Sequence, residues 1–215
     1  MKDRLLKGLK WFYQSYIWLG VVLLVIDIIT KQIIMHSSVD ADGHVAKWGF
    51  VNISYVLNPN AAFGFGVDNP TVSRIIYLIV ATLISAGIIF YLIYKRKEMK
   101  LYVRACLILV VTGAIGNMID RVFYGPLQGE KGLFSGMVVD WIDFYWFWHY
   151  VFNIADSCIV VAAFMLIIYI IVLEVKDYMA KRKEEEGPKV ILSKTEKERL
   201  EQEKEANKLH DEDSK

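Results

Sequence analysis

Two aspartates stand where apolar stretches meet polar ones. Asp140 lies in Gly136-Met137-Val138-Val139-Asp140-Trp141, and Asp156 in Phe152-Asn153-Ile154-Ala155-Asp156-Ser157. A carboxylate at the edge of a membrane-long apolar run is costly to keep, which makes it a functional candidate. Two close carboxylates cannot both ionise cheaply, so one keeps its proton. Such a pair offers a base to activate water and an acid to protonate a leaving amine. Asp143, three residues after Asp140, is a rival partner on spacing alone. For Asp156 alone, the plainer reading is a carboxylate complementing a helix N-terminus.

Other polar residues cluster near apolar runs. Asp27 and Lys31 are four apart, on one helical face, where pairing lessens the desolvation cost of each. Asn58 and Asn60 flank Pro59 and precede Ala61-Ala62-Phe63-Gly64-Phe65-Gly66, a turn where another backbone could come close. Asn117, Asp120 and Arg121 follow Gly113-Ala114-Ile115-Gly116, at helical offsets of three and four. Arg121 is a cation for a peptide carbonyl or a lipid phosphate, or else part of an Asp120–Arg121 cap. His36, His44, His149 and His210 are scattered, and neither CxxC nor HExxH occurs, so no metal or other cofactor is expected. Cys106 and Cys158 sit in apolar segments as small buried hydrophobes.

The elements that must position these groups are read from hydropathy. Of 215 residues, 55% are hydrophobic, and the formal net charge is +1. Four stretches are long enough to cross a bilayer core, which takes about 20 apolar residues: Tyr16–Met35, Val72–Tyr94, Leu101–Ile119 and Val151–Val175. The first is longer than a signal-peptide core and lacks a small-x-small cleavage site, so it reads as a retained anchor. Lys and Arg concentrate before the first stretch, between the second and third (Lys95, Arg96, Lys97, Lys100, Arg104) and after the fourth (Lys176, Lys181, Arg182, Lys183). Both termini are therefore expected in the cytoplasm, and Ser37–Thr71 and Asp120–Tyr150 outside. Residues 44–66 read as short strands. The aromatics from Trp141 to Tyr150 read as an interfacial belt. Residues 1–180 form one membrane domain, and 181–215 a charged cytoplasmic tail, partly helical or disordered. On the residues alone, a proton-coupled carrier using Asp27, Asp120 and Asp156, or a membrane anchor acting through its tail, stands beside the hydrolase.

The ordered motifs resemble the lipoprotein signal peptidases (signal peptidase II), bacterial integral-membrane aspartyl proteases. Asp27-Ile28-Ile29-Thr30-Lys31 is like the family's D-x-x-T-K, Asn58-Pro59-Asn60-Ala61-Ala62-Phe63 like N-x-G-A-A-F, and Gly116-Asn117-Met118-Ile119-Asp120-Arg121 like G-N-x-x-D-R. Gly136–Trp141 is like G-x-V-x-D-F, and Phe152–Ser157 like F-N-x-A-D-S. The resemblance implies four transmembrane helices with a small extracytoplasmic β-sheet cradle. It implies an aspartic endopeptidase in the bacterial inner membrane, with its site at the extracytoplasmic face. Such an enzyme cuts diacylglyceryl prolipoproteins just before the lipidated cysteine. It implies Asp140 and Asp156 as the catalytic dyad; Asn58, Asn117, Arg121 and Asn153 as substrate-binding or dyad support; and Asp27, Lys31 and Asp120 as structural support. The expected partners are prolipoproteins, membrane lipids and globomycin-type inhibitors, with a monomeric enzyme and no nucleic acid. Two departures stand out: Asn60 replaces the motif glycine, and Gly125–Gly132 lengthens the stretch before Asp140 as an exposed, flexible loop.

Overall fold

The computed structural model describes residues 15–59, 69–146 and 148–185, with the isolated positions Leu6, Arg199 and Gln202. The basic N-terminal residues, Asn60 with the glycine-rich stretch after it, and nearly all of the tail beyond Glu185 lie outside the described residues.

Four helices dominate: α1 (Ile17–Met35), α2 (Pro70–Tyr94), α3 (Leu101–Phe123) and α4 (Ile154–Glu185). All four are long and apolar enough to cross a membrane. Even the shortest, at 19 residues, spans about 28 Å at a rise of about 1.5 Å per residue. Their apolar surface points outward. In the most apolar window of α2 only 6% of residues are buried, against 33% in α3. A helix that is apolar all round and uncovered by protein belongs in lipid. α3 is the central helix, and its inward face carries the polar motif. At the head of α2, Asn69 caps the helix by accepting from the Thr71 and Val72 backbone N–H groups, with Pro70 in the first turn.

Helix boundaries depart from hydropathy for physical reasons. α3 continues past Ile119 to Phe123, because Asn117, Asp120 and Arg121 are helical residues whose polarity ends the apolar run without ending the helix. α4 starts at Ile154 rather than Val151, because Val151–Phe152 pairs as a strand. It also runs on to Glu185, beyond Val175, since charged helix formers extend it.

The sheet is antiparallel, in the order β1 (His44–Trp48), β2 (Val51–Asn58), β3 (Val138–Asp143), β4 (Val151–Phe152). Two strands come from each connection. The first pair matches expectation, whereas β3 was hidden by its two aspartates. Opposite Asp140 stands Val56, and opposite Val138 stands Asn58, after an irregularity between Ile53 and Val56. A bulge of this kind re-aims side chains. The sheet packs on the helix ends through Ile34 of α1, Tyr124 after α3 and Val139 of β3. A second apolar cluster joins α3 to α4 through Leu109, Cys158 and Ala162. Both cysteines are buried and free.

The segment after α3 is exposed yet fastened. Pro126–Gln128 forms a 3-10 turn, and Gly129 and Gly132 take positive φ of 83° and 86°. The Gln128 side chain both donates to and accepts from the Met137 backbone, at 2.7 and 2.8 Å. Arg74 of α2 bonds the Ser135 carbonyl. The loop expected to be flexible is thus stapled at its far end, immediately before β3.

By its internal contacts the chain divides into two units, residues 1–168 and 169–215. In the second, described residues 169–185 are helical, and those from Ile170 to Glu184 are exposed.

Candidate active site

Close helix contact comes first, because it sets where the polar groups meet. At Gly113 of α3, an added Cβ would stand 2.3 Å from the Ala155 carbonyl oxygen. At Gly116 it would stand 2.7 Å from Asp27 Oδ2 and 2.8 Å from Ala155 Cβ. The small residues therefore let α3 touch the head of α4 and the middle of α1. Gly116→Ala is expected to destabilise the protein by about 1–3 kcal/mol, since neither Asp27 nor Ala155 has room to retreat. A thermal melt in detergent checks this; an unchanged midpoint would mean that the contact is slack.

The turn from β4 into α4 places Asp156. Asn153 is the capping residue: its Oδ1 accepts from the Asp156 backbone N–H at 2.8 Å. Asp156 Oδ2 accepts in return from the Asn153 N–H at 3.2 Å. This is a reciprocal capping box, with Asp in place of the usual Glu or Gln. The Ser157 hydroxyl adds a bond to the Asn153 carbonyl. Asp156 sits in the first turn, where the helix dipole favours negative charge.

Asn153 also reaches Asp140. Its Nδ2 donates to Asp140 Oδ1 at 2.7 Å, while Asn58 Nδ2 donates to Asp140 Oδ2 at 2.9 Å. Asn117 Nδ2 donates to Asp156 Oδ1 at 2.7 Å, and Asn117 Oδ1 accepts from Asn153 Nδ2 at 3.1 Å. Three asparagines from β2, α3 and the β4–α4 turn thus hold two carboxylates from β3 and α4. Asp140 is 2% exposed. Burial, then the neighbouring charge of Asp156, pushes its carboxyl up to about 7, against the opposing bonds from Asn58 and Asn153.

Behind the asparagines lies a buried charge cluster. Lys31 Nζ is 2.8 Å from Asp27 Oδ2 and 2.8 Å from Asp120 Oδ2, and it donates to Asn117 Oδ1 at 3.1 Å. These contacts occupy all three ammonium protons. The expected Asp27–Lys31 pair is therefore half of a larger unit. Asp120 belongs to that unit rather than to a cap with Arg121. The cluster also holds backbone: Asp27 accepts from Ala155 N–H at 2.9 Å through its other oxygen, Oδ1, and Asp120 accepts from Val139 N–H at 3.1 Å through the same Oδ2 that meets Lys31. Each gripped amide immediately precedes one of the two central aspartates.

A cavity of about 240 Å³ opens onto this arrangement, lined by Asn58, Asn117, Arg121, Asp140, His149 and Asp156 among others. Arg121 bonds the Asn117 carbonyl at 3.1 Å and lies 5.5 Å from the Tyr77 ring centroid. The residues singled out in the sequence thus separate into three sets. Asn58, Asn117, Arg121, Asp140 and Asp156 line the cavity; Asn153 ties the carboxylates from behind; Asp27, Lys31 and Asp120 form the support. Asp143 lies elsewhere, accepting from the Ser54 hydroxyl at 2.9 Å. Neither His149, one of the four scattered histidines, nor Tyr77 stood out as a site residue in the sequence. His149 was masked by the aromatic run around it, and Tyr77 by an apolar helix with no motif.

A model of the family described as signal peptidase (SPase) II matches residues 19–172. A lipoprotein signal peptidase of Haemophilus influenzae is 33% identical over 177 residues, 81% of this chain and 96% of that protein. One from Clostridioides difficile is 34% identical, over 75% of this chain and 97% of its own length. Among solved structures, a bacterial membrane enzyme determined by the in meso method at 2.3 Å aligns with a TM-score of 0.58 and 27% identity. That alignment covers 73% of this chain and 87% of the other.

Proposed function

The chain belongs to the signal peptidase II family, and from that membership we propose that it is an aspartic endopeptidase cutting diacylglyceryl prolipoproteins just before the lipid-bearing cysteine. The family makes it a lipoprotein signal peptidase of a bacterial membrane. The aspartic chemistry rests on one observation: Asp140 and Asp156, from different elements, are bound to the same residue, Asn153, beside one cavity.

In this reading Asp140 holds the proton and Asp156 is the anion, favoured by the α4 N-terminus and the Asn153 N–H. Asp156 takes a proton from water as the oxygen attacks the scissile carbonyl. The carbonyl oxygen becomes a tetrahedral oxyanion, which Asp140 stabilises by donating its proton. On collapse the C–N bond breaks, and the proton taken by Asp156 passes to the departing amine of the cysteine. Asp140 recovers its proton as the new carboxyl forms. Asn58 and Arg121 face the cavity where the peptide backbone would lie. The diacylglyceryl tails remain in the bilayer beside the helices. We assign this chemistry to residues 1–180, with both termini cytoplasmic, the sheet extracytoplasmic and the tail 181–215 outside the reaction. A single chain supplies all the groups named.

The carboxyl of Asp140, raised from 3.8 to about 7, is protonated below that pH and ionised above it. The cleavage rate should therefore fall as pH rises past about 7, when both carboxylates become anions. The midpoint belongs to the pair rather than to either member. A rate still climbing at about pH 8 would remove Asp140 from the acid role.

The direct test uses the purified full chain with one prolipoprotein, with and without its diacylglyceryl group. Cleavage before the lipidated cysteine, unaffected by EDTA and blocked by globomycin, is expected. Loss of cleavage on EDTA treatment, or equal cutting of the unlipidated form, would defeat the proposal.

A further inference from the structure

At the end of α3 opposite Asn117, two arginines line one small cavity. Arg104, in the first turn of α3, and Arg96, just past the end of α2, line a space of about 250 Å³ together with Ser15. Arg104 also donates to the Arg96 carbonyl, which ties the α2–α3 turn to the helix it precedes. Among the described residues no carboxylate lines this space. The acidic residue of the turn, Glu98, is 2.6 Å from Lys95 instead.

The cavity does not end at the arginines. Ile17, Ile93 and Ile108 line both it and a second space of about 350 Å³ that runs between α1, α2 and α3. Thr112 and the backbone apart, that second space is walled by aliphatic side chains such as Leu24 and Ile115. The two form a continuous feature: a cationic mouth at a helix end and an apolar groove leading into the membrane-spanning part. The mouth lies about 20 Å along α3 from Asn117.

We propose that this feature is a binding site for an anionic phospholipid of the leaflet opposite the peptidase cavity, with the phosphate between Arg96 and Arg104 and an acyl chain in the groove. Charge selects the occupant. Two arginines at one cavity with no carboxylate among its described lining favour an anion, and Arg suits phosphate through paired N–H donors. Basic pockets between transmembrane helices hold acidic head groups in this way. The groove selects for an attached acyl chain, because a free anion leaves it unfilled. The lipidated substrate is no match: its diacylglyceryl group carries no phosphate, and its scissile bond belongs at the other end of α3. A bound lipid would touch α1, α2 and α3 at once.

Retained lipid can be read by native mass spectrometry of the purified full chain, with melting in the same detergent as a second readout. Added dioleoylphosphatidylglycerol should form a one-to-one adduct and raise the melting midpoint. Dioleoylphosphatidylcholine should be retained at least about fivefold less, as expected for an acidic head-group site. Inorganic phosphate should give no protection. Arg96→Gln with Arg104→Gln should cut the phosphatidylglycerol adduct at least about fivefold, while Lys95→Gln with Lys97→Gln, losing the same charge outside the cavity, should not. Equal adducts in the two double variants, or equal retention of the two lipids, would overturn the proposal. Protection by inorganic phosphate as strong as by the lipid would replace it with a free-anion site. Should the arginine variant fail to fold, Ile93→Trp decides: filling the groove without altering charge must lower the adduct, and an unchanged adduct ends the idea.

Discussion

Asp140→Asn and Asp156→Asn are each expected to fold and to cleave roughly 10³- to 10⁴-fold more slowly than the parent enzyme, measured as single-turnover conversion of a diacylglyceryl prolipoprotein. Asn keeps the shape of Asp while removing the ability to take or give a proton. At Asp140 the cost to folding is limited. Asn retains one acceptor for Asn58 or Asn153 but sets an amide against the other donor, a loss of about 1 kcal/mol. Against that, it removes a carboxyl whose ionisation is already hindered by burial. Its melting point should therefore stay close to that of the parent. Asp156→Asn also strips one half of the capping box, so a somewhat lower melting point is expected. The double variant should be no slower than either single one, because two groups serving one proton circuit do not contribute additively. A single variant within about tenfold of the parent rate would be too active for a group that moves the proton.

Lys31→Met is expected to cost about 3–5 kcal/mol of stability, the largest folding effect among these substitutions. Lys31 is fully buried, and so are Asp27 and Asp120. Removing the ammonium leaves two carboxylates facing each other with no cation between them. The damage should reach the site by two routes: Asn117 loses a donor, and the strained carboxylates loosen their hold on Ala155 and Val139. Denaturant unfolding in mixed micelles measures the first effect. Lys31→Met with Asp27→Asn and Asp120→Asn should regain much of the stability, because the uncompensated charge is gone. If the triple variant were as unstable as Lys31→Met alone, the loss would come from packing rather than charge.

How much of this was legible in the sequence depends on distance along the chain. Local features read well. Asp27 and Lys31 are one turn apart and pair as spacing implies. The small residues before Asn117 pack closely, as small residues do. Features built from distant residues did not read. Lys31 and Asp120 have no periodic relation, and only the packing of α1 on α3 brings them together. β3 escaped notice because Asp140 and Asp143 interrupt an apolar run, yet the strand is buried on both faces. Asn117, Asp120 and Arg121 read as one helical face, but the span was ended at Ile119 for the converse reason: a polar face turned toward the other helices looks, by hydropathy, like the end of a span. The ordered motifs carried what periodicity could not, since they name residues that meet only in three dimensions.

The reciprocal cap at the head of α4 also bears on the order of synthesis. Asp27 and Lys31 leave the ribosome with the first helix, Asp120 with the third, and Asn153 and Asp156 only with the last. A growing chain that has completed three helices and β3 contains Asp140 but not Asn153, which bonds both aspartates. With the dyad proposed above, hydrolytic competence arrives in one step, when the final helix begins and its first turn closes. A nascent protease of this design is mute while its own unfolded segments pass through the membrane beside it.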